Sequence, residues 1–457
     1  MTKFKTFRED YPEFIYKSFE LSETDETVSI KYNFEITDLA EFSPQWKIKK
    51  SNPKPVTLDP VLRKLAFSLG MVELVSYWKI TCSPTVKVLC GNLCKEQKDW
   101  WKTQYFNGLG EFFYRNNITT DFDSFMKIES GCEKTPVSED NKKNLEGCLI
   151  PVGGGKDSIV TLNILKNMNS KNCCYLINER NSIYQSAYTA GYTEHEVILS
   201  TRTLDPNMLR LNSEGFLNGH TPFSAIVAFS AVLAAYINNK KYVVLSNEAS
   251  ANESTVKGSD VNHQYSKSFE FENDFVLYEK KYINSGVFYF SLLRPWSEFQ
   301  IAAYFSKLKD FHKIFRSCNV GSKKDEWCGN CSKCLFVCLI LSPFIEYEQI
   351  CDMLGNDMAN KEELLDDFKK LIGENDEKPF ECVGSREEIN FSVSAAIKNI
   401  EASGQKLPFM FEYYKTTPQY QEFSTKENPL YSYYNENNNL PSEFEELMRA
   451  ASKEIAL

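Results

Sequence analysis

The sequence predicts an α/β protein built on a doubly wound, mostly parallel sheet. Short β-rich runs alternate with helix-patterned segments from residue 148 to residue 246. A glycine triplet joins the first of those runs to a helix, as a βα turn requires. The two longest near-apolar stretches, residues 224–237 and 335–344, are too short to span a bilayer and read as buried helices.

Taken in order, the β-rich runs are residues 148–152, 173–178, 196–200 and 242–246. Residues 158–168 and 223–236 carry helical patterning, and residues 184–188 are ambiguous. Parallel strands need crossovers of a dozen or more residues, which the helices between them supply. Upstream, residues 14–21 and 27–36 partly alternate apolar and polar side chains, as half-buried strands do. A proline-bearing stretch, 51–60, reads as a linker. Helical patterning follows at 61–78 and 96–116, with Trp100, Trp101, Tyr105, Phe112 and Phe113 as expected core. Residues 139–146 form a polar break, and the last hundred residues are acidic and helix-patterned, with a Tyr- and Asn-rich loop at 429–441. Three regions are therefore expected: 1–142, β-rich then helical; 143–345, the α/β domain with a cysteine cluster; and 346–457, mainly helical.

Composition excludes some classes of function. The chain has 457 residues, 42% hydrophobic and 25% charged, with a net charge of -10. A passive nucleic-acid binder should be basic, so that class is not expected. The first residues lack the apolar core of a signal peptide, and no membrane span is expected, so cytoplasm is the expected location. Fourteen cysteines without a secretion signal point to reduced thiols or metal ligands, not a disulfide scaffold.

Chemistry enters at residues 149–158, LIPVGGGKDS. Glycines let backbone N–H groups approach an anion closely, and the helix N-terminus behind them adds unpaired donors. A Walker A loop would need Gly at Ile150 and Ser or Thr at Asp157; a dinucleotide fingerprint would need Gly or Ala at Ser158. The turn instead resembles the SGGxDS signature of PP-loop (HUP-like) ATP pyrophosphatases, with Gly153 in place of the first Ser. The resemblance implies that Gly153, Gly154, Gly155, Lys156, Asp157 and Ser158 hold ATP, that Asp157 helps position Mg2+, and that the products are AMP and pyrophosphate.

Cys318, Cys328, Cys331 and Cys334 form a second constellation, whose two C-x2-C steps suit a tetrahedral thiolate site for structural Zn2+. Cys328, Cys331, Cys334 and Cys338 also match an iron–sulfur run, although Leu339 stands where that pattern has Pro. The first set is similar to the four-cysteine zinc site of 7-cyano-7-deazaguanine synthases, themselves PP-loop enzymes.

Longer blocks carry a closer resemblance. NGLGEFFYRNNI, PVGGGKDS, LNGHTPFSA, SNEASANE, NHQYSKSFEFE, LLRPWSE, FRSCN, WCGNCSKCLF and FECVGSREE run from Asn107 to Glu388. Together they resemble the UDP-N-acetylmuramoyl-L-alanyl-L-glutamate epimerase (MurL-type) family. That resemblance implies ATP-dependent inversion of the terminal glutamate of a peptidoglycan precursor through an acyl-adenylate, with a UDP-sugar dipeptide as substrate. Adenylation is sensible because a carbanion beside a free carboxylate is very costly. Such a site needs cations for phosphates, an oxyanion donor and proton carriers.

Candidates for those roles are few. His220 lies at a loop-to-helix junction and His263 in a polar stretch near Tyr265, whereas His195 and His312 read as structural. Lys267, Arg294 and Arg316 are candidate clamps for phosphate or carboxylate. Asn178 and Glu248 end β runs, where open α/β sheets place ligand contacts. Cys382 reads first as core and second as a proton carrier. Two other classes of function remain: a PP-loop ligase, thiolation or nitrile-forming enzyme acting on a nucleobase, tRNA or other carboxylate, and a zinc-binding interaction module with a degenerate loop.

Overall fold

The computed structural model describes residues 2–131, 143–166, 168, 171–252 and 265–455. Six strands come from the first part of the chain: β1 (Glu13–Glu23), β2 (Thr27–Ile36), β3 (Ala40–Phe42), β4 (Gln45–Lys49), β5 (Thr85–Val88) and β6 (Lys127–Ser130). Five more follow: β7 (Cys148–Pro151), β8 (Cys173–Ile177), β9 (Val197–Thr203), β10 (Tyr242–Leu245) and β11 (Phe288–Ser291). All lie in one sheet of order β11-β10-β7-β8-β9-β4-β2-β1-β5-β6, with β3 paired to β2.

The block β9-β8-β7-β10-β11 is wholly parallel. Its chain order reverses between β7 and β10, and such a switch point leaves a crevice at the carboxyl ends of the strands. Residues on one strand alternate between two cores. Leu149, Tyr175, Val243 and Leu245 pack on one face, while Cys148, Ile150, Cys174, Leu176 and Val244 pack on the other. Both faces are covered, which is why these strands read as continuous apolar runs without polar alternation.

The described strands of residues 2–131 do not form a separate sheet. β4 runs antiparallel to β9, with Gln45 opposite Thr203 and Ile48 opposite Ser200. The pairing removes an open edge from the parallel block. The join is reinforced by the buried Glu73, on the helix Pro60–Trp78, which accepts from Trp46 Nε1 of β4 (3.2 Å) and from Arg202 Nη2 of β9 (2.7 Å). β5, β6 and β11 were not expected from sequence; four residues hold too little periodicity to be recognised.

The helices Lys156–Leu165 and Phe223–Ile237 follow β7 and β9, and the ambiguous residues near Tyr184 form the helix Asn181–Thr189. The fully buried helix Ser332–Leu341 centres a C-terminal helical layer. Helix Ser442–Ile455 sets Phe444 against Phe290 and Tyr242, with ring centroids 4.8 Å and 5.0 Å apart. Among the described residues no helix is long and apolar enough to cross a membrane.

Candidate functional site

The glycine turn sits at the switch point, between the end of β7 and the helix Lys156–Leu165. Gly154 has φ +81°, and a Cβ there would also lie 3.1 Å from Ser182 Oγ. Only glycine takes this conformation cheaply. Gly153 differs: a Cβ would meet nothing within 4 Å. Gly153→Ser, which restores the residue of the PP-loop signature, is therefore expected to fold with an unchanged melting temperature. Gly154→Ala is expected to cost about 1–2 kcal/mol in thermal denaturation. Equal destabilisation by both substitutions would contradict this geometry.

A cleft of about 420 Å³ opens above the turn, bordered by the ends of β7, β8 and β10 and by the helix Phe223–Ile237. Among its described lining residues the charged nitrogens belong to Arg180, Lys267, Arg316 and Lys333, and the one carboxylate is Asp157. A chain of net charge -10 thus carries a locally cationic cleft.

Beneath the cleft lies a buried charge cluster. Asp157, Glu248 and Glu298 can each offer a carboxylate oxygen within 4.8 Å of the others, as a cation site requires. Lys156 Nζ donates to Asp157 Oδ1 and Glu298 Oε2. Lys156 is 2% exposed, and those two carboxylates hold its pKa above the ordinary value against the effect of burial. Burial pushes the Glu298 carboxyl up to about 8; Lys156 opposes the shift, and Asp157 and Glu248 add to it. For Asp157 burial also acts upward, but Lys156 and Lys333 outweigh it and hold the carboxyl below its usual range. Lys267 is pulled down by burial and raised further by Cys382, Glu248 and Asp157, so its ammonium form is favoured. Its side chain lies beside Cys382.

Sequence-based candidates divide sharply. Lys267, Asp157, Ser158 and Arg316 line the cleft, and Glu248 sits in the carboxylate trio. Ser158 Oγ donates to the Gly155 carbonyl at 3.0 Å, bracing the turn. Arg316 is largely a fastener: Nη1 donates to the carbonyls of Lys313 and Phe315, and its backbone N–H donates to Gly154 O at 2.8 Å.

Five expectations need correction or fall outside the described residues. Arg294 is 0% exposed and does not face the cleft. It donates to Glu248 O (2.7 Å), Lys267 O (2.7 Å) and Glu272 Oε2 (2.9 Å), so it positions Lys267 of the cleft and Glu248 of the carboxylate trio through their backbones. Asn178 is exposed with φ +58°, and its Oδ1 accepts from Arg202 N–H at 2.9 Å, away from the cleft. His220 does not line the cavity; Nδ1 lies 3.2 Å from Glu111 Oε2. His263 lies outside the described residues. Cys382, read first as core, is half-buried and lines the cleft.

Arg180, Glu298 and Lys333 were missed. Arg180 stands three residues past the end of β8, beyond the left-handed Asn178, with its Nη2 reaching Gly153 O at 3.4 Å. Lys333 stands between two cysteines at the start of an apolar helix, a placement that burial alone could have flagged.

The cysteine set forms next to the glycine turn. Sulfur separations are 4.0 Å for Cys318–Cys331, 3.8 Å for Cys328–Cys334 and 3.5 Å for Cys331–Cys334, and all four are mutually within 4.8 Å. Four sulfurs about 2.3 Å from a central zinc stand about 3.8 Å apart, so the residues fit such an ion. Backbone N–H groups of Gly321 and Cys328 donate to Cys318 Sγ at 3.1 Å and 3.4 Å. Gly329, at φ +64°, makes the turn that aims Cys328 and Cys331 inward. Cys338 is not in this set; it lies in the core, where burial pushes its thiol up. The loop is docked on the site: a Cβ on Gly155 would meet Ser317 Oγ at 3.4 Å, and Ser182 N–H donates to Asp325 at 2.6 Å.

A family model described as the MurL N-terminal domain matches residues 5–292, and one described as the MurL C-terminal domain matches residues 313–426. Three curated proteins, each named UDP-N-acetyl-alpha-D-muramoyl-L-alanyl-L-glutamate epimerase, are similar to the chain. The Micromonospora sp. protein is 33% identical over 342 residues, covering 74% of this chain and 75% of the relative. The Salinispora tropica protein is 34% identical over 344 residues, 74% and 73% of the two chains. The Xanthomonas oryzae pv. oryzae protein is 31% identical over 341 residues, 73% and 74%. No solved structure matches the chain significantly.

Proposed function

The chain belongs to the MurL family, and from that premise we propose that it inverts the terminal L-glutamate of UDP-N-acetylmuramoyl-L-alanyl-L-glutamate through an ATP-derived acyl-adenylate, releasing AMP and pyrophosphate. The observation that carries this reading is one cleft, at the switch point, that brings together the glycine turn, Lys267 and Asp157, the last of which also belongs to the carboxylate trio beneath. A phosphate chain suits the turn, because the N–H groups at the start of helix Lys156–Leu165 have no intrahelical partners. Magnesium, held by Asp157, Glu248 and Glu298, would offset charge on the phosphates. Arg180, Lys267 and Arg316 supply the cationic surface that an anionic, nucleotide-bearing substrate needs.

The chemistry follows from the charge on the substrate. Deprotonating carbon beside a free carboxylate places two negative charges together. Joining the carboxylate to AMP removes one of them and lets the enolate delocalise. Lys267, close to the cleft floor and favoured as ammonium, suits stabilisation of that enolate oxygen. The cysteine set would hold zinc as a structural ion, since four thiolates leave no open position for catalysis.

Chiral analysis of glutamate after turnover with ATP, magnesium and the UDP-linked dipeptide tests the reading. D-glutamate is expected, in step with AMP. Unchanged L-glutamate alongside brisk AMP release would move the assignment to a ligase or amidating enzyme.

A further inference from the structure

Of the two thiols lining the described cleft, Cys318 belongs to the sulfur set, and phosphate binding gives Cys382 no role. Cys382 lines the same cavity as Gly153, Asp157 and Lys267 and contacts the Lys267 side chain. Its loop is anchored on several sides. Lys333 Nζ donates to the Cys382 carbonyl, and Lys378 Nζ donates to Gly384 O at 3.0 Å. Two residues earlier, Phe380 packs against Tyr114 in a tilted pair (centroids 5.2 Å apart), with the Arg115 guanidinium 5.1 Å from its ring centroid. A thiol is thereby held in place, beside a cation, in the space where substrate would lie.

The other titratable groups lining the described cavity are otherwise committed. Asp157 belongs to the carboxylate trio and Cys318 to the sulfur set. Guanidinium groups such as Arg180 and Arg316 do not give up protons in proteins. Burial pushes the Tyr175 phenol up to about 12 and raises that of Tyr289 further. His220 is turned to Glu111. Lys333 is held on the Cys382 carbonyl, so among the described residues Cys382 and its neighbour Lys267 are left.

We propose that Cys382 is a catalytic proton carrier of the epimerisation, exchanging the α-hydrogen on one face of the glutamyl α-carbon; this rests on the function proposed above. In the forward step the α C–H bond breaks and its electron pair moves into the activated acyl group as an enolate. The proton forms an S–H bond with Cys382, acting as thiolate next to the Lys267 ammonium. A new C–H bond then forms on the opposite face with a proton from water. The thiol proton passes to the hydroxide so produced, regenerating thiolate and water.

Turnover in deuterated water, with ATP, magnesium and the UDP-linked dipeptide, separates this step from adenylation. Cys382→Ala and the near-isosteric Cys382→Ser are expected to lower deuterium incorporation at the α-carbon by at least about 10²-fold, with a far smaller drop in AMP release. Circular dichroism and melting temperature establish that the variants are folded. Exchange at the wild-type rate in either folded variant overturns the proposal. So does a parallel loss of AMP release and exchange, which would make Cys382 a nucleotide-site residue. Wild-type protein that releases AMP without any α-exchange would overturn the epimerase reading itself, and the role of the thiol with it.

Discussion

Alanine at Asp157 is expected to lower substrate-dependent AMP release on the order of 10²–10³-fold while the protein stays folded. Asp157 is the member of the carboxylate trio that also lines the cleft, so it alone can reach both a cation and the phosphates bound there. Its loss should leave the fold intact, because Lys156 keeps its buried partner Glu298. The opposite substitution pattern should behave differently. Glu298→Ala strands the Lys156 ammonium in a buried setting with Asp157 alone, and removing one partner of a buried pair commonly costs about 3–5 kcal/mol. Nucleotide products separated by anion exchange, together with melting curves, read both effects. ADP as the substrate-dependent product, or near-normal AMP release from Asp157→Ala, would refute the proposed phosphate geometry.

Serine at Cys331 is expected to remove the metal and destabilise the protein severely, since zinc binding by four thiolates contributes folding energy on the order of 10 kcal/mol. Native mass spectrometry should find one zinc per wild-type chain and none in the variant. Cys338→Ser is the control, and its zinc content should match wild type because Cys338 stands outside the sulfur set. The damage should spread to ATP use even where the variant folds. The metal loop is joined to the glycine turn by the bond from Arg316 N–H to Gly154 O and by Ser317 packing on Gly155. A brown protein with iron and acid-labile sulfide, dependent on Cys338, would reverse the assignment of the metal.

These experiments probe features of two kinds. The glycine turn and the cysteine loop were legible in the chain, each spanning fewer than twenty residues whose relative placement depends on few dihedral angles. The alternation of apolar runs with amphipathic segments likewise announced the parallel block, because side-chain period and burial on both faces are local consequences of strand geometry. Tertiary structure alone decided which charges meet. Lys156 and Glu298 are 142 residues apart and become partners only through the order of strands at the switch point. Arg294 and Lys267 were indistinguishable as candidate clamps in sequence, yet one is spent on internal acceptors and the other borders the cleft. Likewise β4 joins β9 across the intervening residues 50–196, and Cys382 leaves its expected place in the core because its loop is tethered by Lys333 and Phe380. Hydrophobic periodicity records whether a side chain is buried; it carries no record of which distant group satisfies a buried charge, and that pairing is set by packing the whole chain.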